Sequence, residues 1–322
     1  MSDVSFSVMS APPSSRTLMP RLLRFGVVGA GQMGAGIAQV LASSSSASSV
    51  LVTDTSTSAL TRSVEGIASS LARFVSKGRI SADARDAAMH RIATSSSIDD
   101  LHLCDVIVEA VPEDESLKRQ MFAKLDHIVR PQLETPSGTT PWDFDKNGPI
   151  LATNTSSVSI TRIASATRNA SRVVGVHFMN PVPIMKLVEI IPGADTCQAA
   201  VEASVQIVND IGKVPVAADA DRPGFIVNRI LMPYINEAFF ALMEGVSRDP
   251  HAIDTAMQLG TNVPMGPLTL ADHIGLDTCL SIMRVLHHGL GDDKYRPCPL
   301  LVSYVDAQRL GKKAGRGVFE YK

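Results

Sequence analysis

Short apolar runs alternate with amphipathic stretches through the first two thirds of the chain, and after residue 223 the apolar spacing becomes helical. Phe25-Gly26-Val27-Val28 is an apolar run that leads into glycines, the pattern of a buried parallel strand. Residues 34–42 then read as a helix and 50–54 as a second strand. Residues 60–77 and 82–92 read as amphipathic helices, 106–110 as a strand and 115–129 as a helix. The same reading gives strands at 150–153, 173–178, 187–191 and 214–216, with a helix at 197–211 between the last two. Strands alternating with helices predict a parallel sheet. Beyond Asp221-Arg222-Pro223-Gly224, Phe225, Ile226, Ile230, Leu231, Tyr234, Ile235, Phe239 and Leu242 recur at helical spacing, and 250–259, 267–288 and 299–310 continue as helices.

The expected fold is therefore α/β: a mostly parallel sheet domain over residues 24–220, followed by an all-α domain over 221–322, with a flexible extension at 1–23. Two segments interrupt it. Residues 131–149 carry four prolines and Trp142, the only tryptophan, and read as a tolerated surface insertion. The first 24 residues carry six serines and three arginines (Arg16, Arg21, Arg24) against one acid, Asp3. That composition favours a mitochondrial (matrix) address, with a plain tail and a cytoplasmic location as the alternative.

Composition then removes whole classes. With 30 basic and 32 acidic residues the net charge is −2, which argues against nucleic-acid binding. No apolar run reaches the length of a membrane span. The four cysteines are scattered, with neither metal-ligand nor disulfide spacing, so no metal is expected.

Gly29-Ala30-Gly31-Gln32-Met33-Gly34 lies between the first strand and the first helix, and Asp54 ends the second strand 20 residues after Gly34. Gly29 permits the tight turn, Gly31 lets the backbone approach a pyrophosphate, and Gly34 lets helix and strand pack closely. The helix N-terminus offers unpaired N–H groups to phosphate. Asp54 suits a ribose diol and repels a 2′-phosphate, so the cofactor is read as NAD rather than NADP.

A second constellation lies at 174–190. Two apolar strands flank a turn holding Asn180, Pro181 and Pro183, and a fold-back about Pro183 brings His177, six residues before it, beside Glu189, six after. A carboxylate in an apolar strand needs a partner, and an imidazole held by it is suited to general-base work on an alcohol. Asn154-Thr155-Ser156-Ser157 follows another strand at the end where open sheets bind ligands, although Ser and Asn there also serve as helix caps.

Taken together, these motifs resemble the L-3-hydroxyacyl-CoA dehydrogenases, in particular the short-chain 3-hydroxybutyryl-CoA type, from about residue 24 to 322. Also similar are Pro223-Gly224-Phe225-Ile226-Val227-Asn228-Arg229, Pro264-Met265-Gly266-Pro267 and the segment 311–317. The resemblance implies a Rossmann-like domain, a helical domain that forms a homodimer, and reversible NAD-linked oxidation of an L-3-hydroxyacyl-CoA in fatty-acid β-oxidation or butanoate metabolism. It implies His177 as general acid/base, Glu189 as its orienting partner, and Ser156, Asn180 and Asn228 around the substrate. For NAD it adds Glu113, Lys118, Ser156, Asn180 and Lys313 to the glycine loop and Asp54. For CoA it points to Ser70, Lys77 and Ser156, with Arg73 one turn away. The competing readings are a gulonate-type sugar-acid dehydrogenase, a 3-hydroxyisobutyrate type with a lysine base, and a catalytically silent NAD-binding protein.

Overall fold

The computed structural model describes residues 22–131, 134–136 and 140–321. The targeting expectation for 1–23 therefore falls, apart from Leu22 and Leu23, outside the described residues. Eight strands form one sheet: β1 (Leu23–Val28), β2 (Ala47–Thr53), β3 (Ile92–Ser95), β4 (Val106–Glu109), β5 (Ile150–Thr153), β6 (Val173–Phe178), β7 (Leu187–Pro192) and β8 (Val214–Ala217). Their order is β3-β2-β1-β4-β5-β6-β7-β8. β1 to β6 run parallel, and the chain turns back only between β6 and β7.

Helices cover both faces, as a sheet apolar on both sides requires. On one face α1 (Gln32–Ala42), α2 (Thr57–Ser76), α3 (Ala82–His90) and α6 (Gln198–Asp210) bury Ile37, Leu41, Leu60, Ile67, Leu71, Ala88 and Val208. On the other, α4 (Glu115–Ile128) and α5 (Ile160–Ala164) bury Phe122, Leu125, Ile160 and Ile163. Ser56, Ser81, Asp114 and Ser159 start α2, α3, α4 and α5 by accepting a backbone N–H of the first turn. A third core holds the helical domain together: α7 (Val227–Met243), α8 (Pro250–Thr261), α9 (Pro267–Ile274), α10 (Leu276–Leu290) and α11 (Pro299–Asp306).

Three sequence expectations are corrected. β3 is a strand where the helix at 82–92 was expected to end; this edge strand is half exposed and too polar to show an apolar run. The helix expected at 267–288 is two, because Gly275, at φ 103° and ψ 125°, leaves helical geometry between α9 and α10. The 131–149 segment is more than surface: Trp142 is 6% exposed within the core, and its indole Nε1–H donates to the Gly148 carbonyl at 3.2 Å. Asn147 pins the segment further, accepting from the Asp143 amide and donating to the Glu134 carbonyl. No helix of the described residues is long and apolar enough to cross a membrane.

Candidate active site

The carboxyl ends of β1, β4, β5 and β6 deliver the candidate residues to one edge of the sheet, the position where parallel sheets bind ligands. After β1, Gly29 sits at φ 102° and its N–H donates to the Thr53 carbonyl at 2.8 Å. A Cβ on Gly34 would fall 1.8 Å from the Gly29 carbonyl oxygen, so α1 can start there only without a side chain. A Cβ on Gly31 would meet nothing within 4 Å, which leaves the approach to the N-terminus of α1 open for a phosphate group. Asp54 is held at the end of β2: Oδ2 accepts from the Ala30 amide at 2.8 Å and Oδ1 from the Ser56 amide at 2.9 Å. This open cradle, with a carboxylate beside it, fits a dinucleotide. Gln32, at the start of α1, donates through Nε2 to Asn180 Oδ1 at 3.1 Å.

Across the β6–β7 hairpin His177 and Glu189 are directly paired residues, so their side chains leave the same face. His177 Nδ1 lies 2.7 Å from Glu189 Oε2. Both are buried, at 7% and 0% exposure. The other carboxylate oxygen, Oε1, accepts from the amides of Ile226 at 3.0 Å and Val227 at 2.9 Å, where the chain enters α7. Burial works against ionising Glu189, but the bonds from His177 and the Val227 and Ile226 amides outweigh it and hold the carboxyl below its ordinary range. A carboxylate at Nδ1 favours the tautomer with its proton on that nitrogen, which turns Nε2 to the substrate side of the ring. Phe225, at φ 49°, sets its ring edge-on to His177 with centroids 5.6 Å apart. The first turn of the helical domain thus closes over a pair made by the sheet.

Ser156 belongs to a second group. One oxygen of Glu113, Oε1, accepts from Thr155 Oγ1 (2.6 Å), the amides of Ser156 and Ser157 (2.9 Å each), Ser157 Oγ (2.8 Å) and Ser156 Oγ (3.2 Å). Glu113 Oε2 lies 3.3 Å from Lys118 Nζ, which bonds Glu109 at 2.7 Å. Burial alone would raise the Glu113 carboxyl, but the Lys118 charge, the Thr155 and Ser157 hydroxyls and the Ser156 amide lower it overall. Lys118 is 1% exposed, so it meets the site through Glu113 and Glu109 rather than from solvent. Asn154 ties the two groups together, its Oδ1 accepting the Phe178 amide at 2.8 Å.

The glycine loop, Asp54, Asn180, the His177–Glu189 pair and the Ser156–Glu113–Lys118 group all lie at this edge, and Asn228 is buried in the first turn of α7. Lys313 is not joined to them by any described contact; its Nζ pairs with Asp277 at 2.7 Å within the helical domain. Ser70, Arg73 and Lys77 share one face at the end of α2, with Arg73 and Lys77 exposed. Sequence reasoning missed Glu109, Phe225 and the contact between Gln32 and Asn180. The turn-forming Pro223-Gly224 pair was the available signal for Phe225; the other two depend on strands brought together by the fold.

A dinucleotide-binding sheet whose strand ends carry a buried imidazole–carboxylate pair, sealed by a helical domain, defines a NAD-dependent dehydrogenase. Comparison with known families narrows this. Residues 24–141 and 143–222 match the family "3-hydroxyacyl-CoA dehydrogenase, NAD binding domain", and 224–321 match "3-hydroxyacyl-CoA dehydrogenase, C-terminal domain". The chain belongs to the 3-hydroxyacyl-CoA dehydrogenase family. It is 48% identical to the 3-hydroxybutyryl-CoA dehydrogenase of Bradyrhizobium diazoefficiens, over 93% of this chain and 95% of that one. Identity to the probable 3-hydroxybutyryl-CoA dehydrogenase of Deinococcus radiodurans is 46%, over 93% and 100%. The crystal structure of (S)-3-hydroxybutyryl-CoA dehydrogenase from Ralstonia eutropha superposes with a TM-score of 0.83 at 42% identity, covering 94% of this chain and 99% of that one.

Proposed function

We propose that this chain interconverts an L-3-hydroxyacyl-CoA of the 3-hydroxybutyryl type and the corresponding 3-ketoacyl-CoA, with His177 as general acid/base. The observation that carries the reading is the 2.7 Å contact from His177 to a Glu189 locked by two backbone amides. Bound NAD+ supplies the hydride acceptor for C3. In oxidation, His177 Nε2 takes the proton of the C3 hydroxyl, and Glu189 stabilises the imidazolium that results. Ser156 binds the substrate oxygen and contacts the cofactor, Asn180 helps position substrate and nicotinamide, and Asn228 completes the pocket from α7. The glycine loop, Asp54, Glu113, Lys118 and Lys313 serve the dinucleotide, and Ser70, Lys77 and Ser156 serve CoA. A homodimer formed through the helical domain, and a place in β-oxidation or butanoate metabolism, complete the proposal.

The test is NADH consumption with acetoacetyl-CoA, compared with free acetoacetate, and NADH production with L-gulonate. CoA-dependent turnover supports the proposal. Turnover confined to gulonate moves the chain to the sugar-acid branch, and NADH binding without any turnover points to a silent protein.

A further inference from the structure

Lys213 lies in the connection between α6 and β8, is only 8% exposed, and is not accounted for by the reaction described above. The lysine ion pairs among the described residues belong to Lys118, Lys294 and Lys313. Lys213 bonds two backbone carbonyls instead: its Nζ donates to Val182 O and to Met185 O, each at 2.6 Å. Burial without an acidic partner pushes its ammonium below the usual lysine range. A cation kept in so unfavourable a place is doing something a neutral side chain would not, because charge-assisted bonds to carbonyls are stronger than neutral ones.

Both carbonyls belong to the turn that links His177 to Glu189. Residues 181–185 form one helical turn, with the amides of Ile184 and Met185 both donating to Pro181 O at 3.0 Å. The ammonium joins the two carbonyls and anchors that turn. The turn also rests on α1: a Cβ on Gly36 would lie 2.8 Å from Val182 Cβ, so turn and helix touch directly. One helical turn earlier, Gln32 holds Asn180. The turn is therefore held both by the dinucleotide helix and by Lys213, with Asn180 at its start.

We propose that Lys213 is a positioning residue for the reaction: by clamping the 181–185 turn against α1 it holds Asn180 in the arrangement that turnover requires. This rests on the dehydrogenase reading given above. Lys213→Met removes the donors at similar length and Lys213→Arg retains them. The methionine variant is expected to lose roughly tenfold in kcat, since small misplacements near reacting groups are costly, while its affinity for NADH stays within about twofold. The arginine variant is expected to recover part of the loss. If Lys213 acts through Asn180, introducing Lys213→Met into Asn180→Ala should cost less than about twofold more, the non-additivity of two residues working as one unit. Amide exchange at Ile184 and Met185, read without turnover, should be faster in Lys213→Met than in the parent protein. Should the methionine variant fail to accumulate in folded form, Lys213→Gln carries the same comparison. An unchanged kcat, an equal loss in the Asn180→Ala background, or unchanged exchange in the turn each overturn the proposal. A parent protein that binds NADH but does not reduce acetoacetyl-CoA overturns the dehydrogenase reading instead, and the exchange measurement then decides the clamp by itself.

Discussion

His177 and Glu189 divide one task between two environments. Two backbone amides and the imidazole hold the carboxyl below its ordinary range in spite of its burial, and the pairing through Nδ1 leaves Nε2 as the ring nitrogen to face a substrate. General-base help is worth about 10²–10⁴-fold in rate, so His177→Gln should lose at least that in kcat, with NADH titration unchanged. Glu189→Gln should also lower kcat and displace the pH–rate profile. A profile identical to the parent's would remove Glu189 from the mechanism. Gly31 offers a different kind of residue-scale test. Because a Cβ there meets no protein atom, Gly31→Ala should melt within a degree or two of the parent, yet it should weaken NADH binding by about tenfold or more, since the methyl group projects where the pyrophosphate is expected to pass. Equal affinity would show that the dinucleotide does not approach this loop.

Among the elements, the hairpin and the 131–149 segment show how local pieces serve the site. Antiparallel pairing of β6 with β7 sets His177 against Glu189, and a one-residue slip would send one of them to the opposite face. The 131–149 segment looks dispensable by composition, but its tryptophan is packed in the core. Trp142→Ala should therefore destabilise the protein by about 3–5 kcal/mol, the usual range for emptying a buried aromatic site. Chemical denaturation followed by circular dichroism measures this, and a change under about 1 kcal/mol would return the segment to the status of a surface insertion.

For the whole molecule, three carboxyls act together, Asp126 and Glu189 buried and Glu113 partly open to solvent. Glu113, Asp126 and Glu189 all have lowered pKa values. Burial opposes ionisation at each, and it is overcome at Asp126 by the bonds from Arg168 and Arg172. A carboxyl depressed in the folded state adds stability above its unfolded pKa of about 4 and loses it as pH falls through the folded value. Melting temperature should hold steady down to about pH 5 and drop steeply below about pH 4. Asp126→Asn should start lower at neutral pH and fall less on acidification. A parallel decline in parent and variant would mean that the Asp126 pair contributes nothing to acid sensitivity. Two of these carboxyls, Glu113 and Glu189, also belong to the candidate site, so acid should weaken the active-site edge together with the fold.

The chain by itself determined what depends on short-range order. Buried strands are apolar runs, helices show their period, and a glycine loop between strand and helix announces a dinucleotide cradle, because each needs only neighbouring residues to be written down. The pairing of His177 with Glu189 was also legible, since a hairpin maps sequence symmetry directly onto register. Tertiary structure alone decided the rest. That Glu189 is held by amides at the start of α7, that Glu113 gathers five donors from the Thr155–Ser157 turn, and that Lys213 grips the turn after His177 all join segments separated by about thirty to forty residues. No local period records such contacts. β3 escaped notice because an exposed edge strand takes its geometry from its neighbour, and the 267–288 helix was read as one because an apolar stripe does not show where Gly275 turns the backbone. Trp142 was misjudged for the same reason: proline and glycine mark the loop, while burial of its indole ring is a property of the packed molecule.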